Sequence, residues 1–209
     1  MSRGGSDNYE LIHYNLSIQG QALFEISRVS QSYVAPHWHD AVEVIYLLDG
    51  ELTVVSERRR YDLHAGSCII LDPNTLHSTI STGGNTSLLL QIPVNAFSGC
   101  GCSLANRQIV CDPFSSDKVL QESLDRVSGL LMEMGEQEHD RAPASRLRSA
   151  SLLLEVMRCI YLDFSQPISE AEFERSRKSR ERLSAVLAYT EEHYREHIAL
   201  EDVADVLIK

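Results

Sequence analysis

Long apolar runs are missing from this sequence. No stretch of the 209 residues approaches the about 18 consecutive apolar residues of a membrane span, and residues 1–7 are not followed by the apolar segment that a secretory signal needs. Cysteine is also scarce: the five cysteines, an odd number, argue against a disulfide framework and for reduced thiols. We therefore expect a cytoplasmic protein that does not contact a membrane.

Positive charge is in short supply as well. The chain has 19 Lys and Arg against 30 Asp and Glu, for a net charge of −11, so it lacks an electrostatic surface for a polyanion such as DNA. The local exception is a basic stretch at 175–182, which is typical of a solvated linker or helix face. Gly-x-Ser-x-Gly and phosphate-loop patterns are absent too, so neither an activated serine nor that type of phosphate site has support.

The chain does contain a concentration of potential ligand side chains between residues 36 and 77. His37 and His39 are two residues apart and Glu43 follows four residues later. In an extended strand, where side chains alternate between faces, these three would point to one side. His77 follows a second predicted strand unit and is the fourth candidate. The spacing predicts a shared site for the first three and does not fix the side that His77 faces.

The segments around these candidates predict strands. Residues 42–48 are strongly β-prone and Asp49-Gly50 supplies the positive-φ pair of a tight turn, so we predict a hairpin between 42–48 and 51–55. A first hairpin is predicted from 10–18 and 22–29, and later strands lie within 61–72, 78–81 and 87–92. About eight strands result, which is enough for a jelly roll.

The candidate ligands also carry a family resemblance. Their spacing resembles the first motif of the cupin family: His37, one residue, His39, three residues, Glu43, six residues, Gly50. The second cupin motif is matched through Gly66, Pro73 and His77. In that motif Asn74 stands where the family usually has glycine, and Asp72 where proline is common. The resemblance implies a double-stranded β-helix, the jelly-roll barrel of cupins, with a pocket inside it.

The pattern becomes helical after about residue 112. Apolar residues recur there at spacings of four and three, which predicts a helix with one apolar face: Leu120, Leu124, Val127, Leu131 and Met134. A second helix is predicted from about Leu147 to Phe164, with more apolar surface than one partner needs. We expect this helix pair to dock on the barrel or on a second copy of the chain, and we predict a homodimer.

The last residues predict a helix ending at Tyr194 and another that starts after Ile198. They resemble the opening of the DNA-binding domain of AraC/XylS-family transcription regulators through Tyr194, Ile198, Leu200, Glu201, Asp202, Val203 and Ala204. Ala199 departs from the Ser or Thr usual before that helix, which removes a cap. With the cupin motif and the helix pair before it, this tail makes nearly the whole chain resemble that family.

The resemblance implies an α+β protein with three parts. These are a cupin-like effector-sensing barrel at 1–111, a helical dimerisation segment at 112–172, and a linker with the start of a helix-turn-helix domain at 173–209. Its function would be that of a non-enzymatic regulator, which binds a small, sugar-like metabolite in the barrel. DNA would be bound through a region mostly outside this sequence, because Lys209 falls within the first helix of that domain.

Three interpretations of the histidine cluster stay open. His37, His39, Glu43 and His77 suit a divalent transition metal such as zinc, iron, manganese or nickel. Together with Tyr46, the same residues could instead hydrogen-bond an organic effector without a metal. In the third interpretation the histidines are structural and are satisfied by their neighbours. The rival function is a cupin metalloenzyme, a dioxygenase or isomerase, with these four ligands around a catalytic ion.

Overall fold

The computed structural model describes residues 8–14, 22–56, 59–137 and 142–208. The chain divides into two compact units, Met1–Gln166 and Pro167–Lys209. The strands are β1 (Asn8–Tyr14), β2 (Ala22–Val29), β3 (Ser32–His37), β4 (Ala41–Ser56), β5 (Arg59–His64), β6 (Cys68–Leu71), β7 (His77–Ser81), β8 (Asn85–Pro93), β9 (Arg107–Ile109) and β10 (Ser165–Pro167). The helices are α1 (Val94–Gly99), α2 (Lys118–Gln137), α3 (Pro143–Cys159), which continues into a π-helical turn (Ile160–Phe164), α4 (Glu170–His193) and α5 (Leu200–Ile208).

Strand β4 is the strand around which the main sheet is built. Its first half pairs with β6 on one edge and β8 on the other, and its second half pairs with β5 and β7. The predicted hairpin at Asp49-Gly50 is therefore wrong, because each half pairs with other strands and the chain continues as one strand. Gly50, at φ 82°, forms a bend next to a register shift between Leu47 and Asp49.

The bend in β4 divides the strands into two layers. One layer has the order β1-β2-β8-β4-β6 and uses the first half of β4, and the other has the order β3-β7-β4-β5 and uses its second half. All of these pairings are antiparallel. The hairpin of β1 and β2 is present, although part of its predicted first strand, at 15–18, lies outside the described residues. The predicted α+β fold, a cupin-type barrel followed by helices, is confirmed.

Alternation along the strands decides what each face of the first layer contacts. Even-numbered residues such as Phe24, Val44 and Leu90 face the helices and share one buried core with Leu131 of α2 and Val156 of α3. The predicted apolar stripe of α2 is confirmed, because its central leucines, valine and methionine are all buried in this core. The helix pair is therefore fixed against the back of the strands that line the barrel interior.

Odd-numbered residues of the same strands point into the barrel. At one end they form a second apolar core with residues of the other layer: Ile45, Leu47, Leu52, Val54, Leu63, Ile69 and Leu71. Apolar side chains pack that end closely, as in other protein interiors. Polar and charged residues occupy the other end, where β2, β3, β7 and β8 meet, and that end contains the candidate site.

The second unit contains α4 and α5. Ser169 and Glu172 form a capping box at the start of α4, and the basic stretch at 175–182 lies inside this helix rather than in an extended linker. At the start of α5 the Ala199 N–H donates to Asp202 Oδ2 at 2.9 Å. Asp202 thus makes the return half of a capping box, while the bond that a Ser or Thr at 199 would accept from an N–H of the first turn is missing. Among the helices of the described residues, none is long and apolar enough to cross a membrane.

Candidate functional site

Three strands and one loop bring the four predicted ligands together. His37 ends β3, His77 begins β7, and the two residues are partners in the strand register. His39 lies in the loop between β3 and β4, and Glu43 lies in β4. The predicted single extended strand is thus interrupted at 38–40, yet the four side chains converge. One ligand atom from each of them lies within 4.8 Å of the other three.

Asn74 holds the loop that carries His39. Its N–H donates to the His39 carbonyl at 2.9 Å, and its side-chain amide donates to Asp40 Oδ1 at 3.1 Å. Asn74 adopts φ 61°, in the left-handed region that Asn tolerates better than most residues, so it can stand at the motif's usual glycine position. Asp72 is the second position that differs from the usual cupin motif. It accepts a hydrogen bond from the Ile109 N–H at 2.6 Å and so connects β9 to the barrel.

Glu43 is the buried centre of the cluster. Its Oε2 lies 2.7 Å from His39 Nε2 and accepts a 2.7 Å hydrogen bond from Gln91 Nε2, while Oε1 lies 3.6 Å from His77 Nε2. Burial alone would raise the pKa of Glu43, but the hydrogen bonds from His39 and Gln91 lower it, as does the charge of the nearby His77 whenever that ring is protonated. The hydrogen bond to Glu43 raises the pKa of His39, against the opposing effect of burial. The geometry therefore favours a carboxylate at 43 and a proton on His39 Nε2.

Backbone carbonyls fix the tautomers of the other two histidines. His37 Nδ1 lies 3.0 Å from the Ala35 carbonyl and His77 Nδ1 lies 2.8 Å from the Thr75 carbonyl. The proton of a neutral ring then lies on Nδ1, because a carbonyl only accepts, and Nε2 keeps its lone pair. Burial lowers the pKa of His77 and favours this neutral form.

These donors fit a divalent transition metal. Within the described part of the chain, His77 Nε2 is a buried polar atom without a hydrogen-bond partner, which is uncommon in folded proteins; His39 Nδ1 also lacks a partner, but it lies on the side of its ring away from Glu43. Histidine metal ligands typically donate their second ring N–H to a carbonyl or carboxylate, as His37 and His77 are placed to do. Three imidazoles and one carboxylate are also a suitable donor set for zinc, iron, manganese or nickel. A polar group of an organic ligand could satisfy the same atoms.

The cluster borders a cavity of about 260 Å³ between the two strand layers. His37 and Glu43 belong to both the cluster and the cavity wall. The remaining polar wall residues are Glu25, Ser27, Ser32, Thr79, Asn85, Ser87 and Gln91. Apolar wall residues, among them Ile45, Leu52 and Leu89, separate this space from the packed end of the barrel. The cavity thus combines hydrogen-bonding groups with an apolar floor.

Tyr46 does not line the cavity. It packs against the core that faces the helices, on the opposite side of β4 from Glu43, because residues three apart in a strand point to opposite faces. The prediction that Tyr46 contributes to the pocket is wrong for this reason. Gln91 and Glu25 are wall residues that the sequence interpretation missed. Their signal is present, since both are polar residues at odd-numbered positions of otherwise apolar strands.

Comparison with known proteins identifies one family. The model of the AraC-like ligand binding domain matches residues 20–157, while a comparison with curated proteins finds no match. Among solved structures, a cupin protein from Bacteroides fragilis has 18% identity over 44% of this chain and 82% of its own, with a TM-score of 0.37. A cupin-2 domain protein from Shewanella frigidimarina has 18% identity over 34% and 70%, with a TM-score of 0.32. A variant of Bacillus subtilis oxalate decarboxylase has 18% identity over 41% and 25%, with a TM-score of 0.36.

Proposed function

The chain belongs to the family of AraC-like ligand binding domains, and we propose that it is the ligand-sensing and dimerisation portion of an AraC-type DNA-binding transcription regulator. In this proposal the barrel cavity binds a small, sugar-like metabolite and the protein has no catalytic role. The site of action is the cytoplasm, where the five free cysteines would stay reduced.

The cavity is the observation that carries this proposal. Its volume of about 260 Å³ lies just below the about 300–1,000 Å³ range of small-molecule sites, which suits a compact metabolite. Several of its wall residues are hydroxyls, amides or carboxylates, the groups that hydrogen-bond a polyol. In the histidine cluster that adjoins the cavity through His37 and Glu43, His77 Nε2 and His39 Nδ1 lack partners within the described residues. An unpaired buried polar atom is unfavourable, so a ligand that hydrogen-bonds such atoms gains binding free energy.

The structure also offers a route from the cavity to the helices. Strands β2 and β8 line the cavity with their odd-numbered residues, and the reverse faces of the same strands carry Phe24, Ile26 and Leu88. A side chain placed on Gly135 of α2 would contact all three of these residues. We propose that ligand binding shifts β2 and β8 and that α2 moves with them. A tenfold preference of the ligand for one arrangement corresponds to about 1.4 kcal/mol of coupling.

Dimerisation is proposed to use the outer face of α3. Leu147 and Leu154 are 74% and 40% exposed, and their spacing of seven residues puts them on the same side of the helix, two turns apart. Leu130, Ala150 and Ser151 join them around a surface groove. Apolar residues grouped in this way mark an interaction surface more often than isolated ones do. The proposed occupant is a second copy of the chain, which would place the same helix opposite itself.

The DNA-binding role rests on α4, α5 and the resemblance of their junction to the start of a helix-turn-helix domain. Tyr194 is the C-cap residue of α4 and Leu200 begins α5, as the resemblance implies. We propose that α5 is the first helix of that domain and that α4 connects it to the sensing unit. The basic stretch at 175–182 lies mostly in the first half of α4, the proposed connecting segment, and positive charge there would assist phosphate binding.

A thermal-shift screen tests the sensing role. Metal-free protein would be heated with a panel of pentoses, hexoses, aromatic acids and divalent metal chlorides. A ligand that binds only the folded state at 100 times its Kd adds about 2.7 kcal/mol of stability, so a sensor should show a marked rise in Tm with a narrow group of compounds. If no compound raises the Tm, the sensing proposal is contradicted.

A fusion tests the regulatory part of the proposal. Residues 1–209 would be joined to a heterologous DNA-binding domain that represses a reporter only as a dimer. We expect repression, and we expect its strength to change when a ligand from the thermal screen is added. A fusion that remains monomeric and inactive would contradict the dimerisation and signalling roles.

The second candidate function is a cupin metalloenzyme of the dioxygenase or isomerase type, and the convergence of His37, His39, Glu43 and His77 is the observation that favours it. In this alternative, His37 and His77, whose Nδ1 atoms face backbone carbonyls, offer Nε2 lone pairs, and Glu43 offers an oxygen while Gln91 holds the carboxylate in place. A bound metal would supply Lewis-acid or redox chemistry. His39 would give up its Nε2 proton on ligation.

Two assays separate the enzyme from the sensor. Elemental analysis of the purified protein measures metal content, and oxygen uptake or isomer formation by the metal-loaded protein measures turnover. The regulator proposal predicts no turnover whether or not a metal is present. Sustained turnover that disappears in a His39→Ala variant would favour the enzyme.

A further inference from the structure

Glu25 is a buried carboxylate that faces the cavity. It lies in β2 opposite Leu89 of β8, it is 8% exposed, and it forms part of the cavity wall. No hydrogen bond or ion pair joins its side chain to another residue in the described part of the chain. Burial and, to a smaller extent, the charge of Glu43 raise the pKa of Glu25. Its carboxylate oxygens are not among the fully enclosed polar atoms of the described residues that lack a partner, so they reach the open space of the cavity, where a ligand could pair with them.

Among the described residues, the wall of the cavity contains no lysine or arginine that could pair with Glu25. Its described wall residues include two carboxylates, Glu25 and Glu43, one imidazole, His37, and neither lysine nor arginine. Glu43 already receives hydrogen bonds from His39 and Gln91. The Glu25 carboxylate is therefore left facing the space that a ligand would fill. A carboxylate or phosphate ligand would meet this negative charge without a compensating cation.

We propose that the effector of this cavity carries a protonated amine that pairs with Glu25. The inference rests on the proposed sensing function and narrows it, from sugar-like metabolites in general to amine-bearing polyols such as amino sugars. It excludes acidic metabolites as effectors. An ammonium group would donate a charge-assisted hydrogen bond to the Glu25 carboxylate. No residue in the described part of the chain makes such a bond.

The neighbouring wall residues fit the remainder of such a ligand. Ser27 and Ser87 are register partners across β2 and β8, and Ser27 is two residues along the strand from Glu25, which is about 7 Å. Asn85 adds an amide on the same side of the cavity. The wall thus presents an anion at one point and hydroxyl and amide groups about 7 Å away. A sugar ring that carries an amine and a hydroxyl on different carbons can place one group toward Glu25 and the other toward these hydroxyl and amide groups.

Matched probes test the inference. One set is D-glucosamine, D-glucose and D-glucuronate, and a smaller set is 1-amino-2-propanol, 1,2-propanediol and lactate, so that each frame carries an amine, a hydroxyl or a carboxylate. Kd values would be measured from the shifts of β2 and β8 amide signals in NMR titrations of the 209-residue chain. We expect at least one amine to bind about 10- to 100-fold more tightly than its hydroxyl counterpart, and the carboxylates to bind most weakly.

Glu25→Gln should remove the preference for the amine. The hydroxyl probe should keep its Kd within about twofold, because the cavity keeps its shape, whereas the amine probe should lose its advantage of about tenfold or more. Glu51→Gln is the matched control, since the Glu51 side chain is 79% exposed on β4 and outside the cavity wall. This control should bind all six probes as the wild type does.

Thermal melting of Glu25→Gln gives a second reading that needs no ligand. A carboxylate that has no partner until a ligand binds lowers the stability of the ligand-free protein. The Tm of Glu25→Gln should therefore equal or exceed that of the wild type. A Tm several degrees below the wild type would assign Glu25 a structural role and overturn the inference. Equal binding of amine, hydroxyl and carboxylate probes would also overturn it, while leaving the sensing function intact. No binding of any probe would contradict both the amine site and this cavity as the sensing site.

Discussion

Glu43 keeps its charge in a buried position because three polar neighbours surround it. His39 and Gln91 hydrogen-bond one carboxylate oxygen and His77 lies near the other. In the absence of a ligand, the proton on His39 Nε2 takes the place that a cation would occupy between His39 and Glu43. Any cation that enters this position must displace that proton, so metal affinity should rise with pH.

Replacing Glu43 by glutamine should lower the pKa of His39 toward its ordinary value, because the hydrogen bond to Glu43 is the main reason that it is raised. NMR titration of the His39 ring signals measures this change directly. Glu51→Gln is the control: Glu51 lies 4.0 Å from His64, and both side chains are largely exposed. An unchanged His39 titration in Glu43→Gln would show that the pair does not form in solution.

The same pair should give a defined pH dependence of stability. The raised pKa of His39 stabilises the fold fully below its ordinary value of about 6.5, and this contribution is lost as the pH rises through the raised pKa. Because the pKa of Glu43 is lowered, its carboxylate stabilises the fold above about pH 4.3. This contribution to stability is lost as the pH falls through the lowered pKa. The stability difference between wild type and Glu43→Gln, about 2 kcal/mol, should therefore be largest between about pH 4.3 and 6.5. Urea denaturation across pH 3–9 measures it, and a difference that grows above pH 8 would contradict this account.

Individual site residues were predictable from the sequence to different degrees. Spacing alone placed His37, His39 and Glu43 together, although the chain leaves the strand at 38–40 and the loop is held by Asn74 from a distant segment. Tyr46 was misplaced although alternation already excluded it from the face of Glu43. Gln91 and Glu25 could not be ranked from sequence, because single polar residues in apolar strands are common and only the register shows which strands share a cavity.

At the scale of the elements, Gly50 of β4 has a different role from the one that its neighbours in the sequence predict. Asp49-Gly50 has the composition of a hairpin turn, but Gly50 lies against the backbone of Gly84. A Cβ on Gly50 would lie 2.2 Å from the Gly84 carbonyl oxygen. The glycine permits this close approach and the bend that passes β4 from one layer to the other. Local propensity could not reveal that contact, because it joins residues 34 positions apart.

Gly50→Ala should therefore be strongly destabilising, by about 3 kcal/mol or more, since it adds a backbone clash to the strain of a positive φ. Gly66→Ala is the matched control: Gly66 has φ 90° and nothing within 4 Å of an added Cβ, so only the strain of about 1–2 kcal/mol applies. Urea denaturation of both variants measures the difference. Equal losses of stability would mean that Gly50 does not lie as close to the Gly84 backbone as described.

The helices were predicted more accurately than the strand connections. The stripe of α2 repeats every three or four residues and is buried as expected, because helix periodicity is local. Strand pairing depends on distant partners, so the order β1-β2-β8-β4-β6 could be proposed only through the cupin resemblance. The two-layer barrel was accessible through its motifs, and the register that forms the site was not.

At the scale of the whole molecule, the proposed dimer and the proposed sensor share one unit. The barrel and α3 both lie within Met1–Gln166, and a common core joins them. A change at the cavity wall could therefore reach the dimer surface through packed side chains. This arrangement is what a ligand-controlled dimer requires.

Charging the outer face of α3 should prevent dimerisation. Leu147→Glu combined with Leu154→Glu puts two carboxylates at the centre of the proposed contact, where they would face their copies across the interface. Analytical ultracentrifugation at micromolar concentration should show the wild type as a dimer and the double variant as a monomer. Val119→Glu, on α2 and 71% exposed, is the control and should remain dimeric. A monomeric wild type would contradict the proposal.

The most direct test of the ligand site compares the Kd of the best thermal-shift ligand, measured by isothermal titration calorimetry, for two pairs of substitutions. His39→Ala with Glu43→Ala removes the buried pair of the cluster, and His64→Ala with Glu51→Ala removes an exposed pair elsewhere on the barrel. With folding checked by circular dichroism, the first variant should lose at least about tenfold in affinity, or about 1.4 kcal/mol, and the second should match the wild type. An unchanged Kd in the folded His39→Ala, Glu43→Ala protein would contradict the assignment of this cavity as the sensing site.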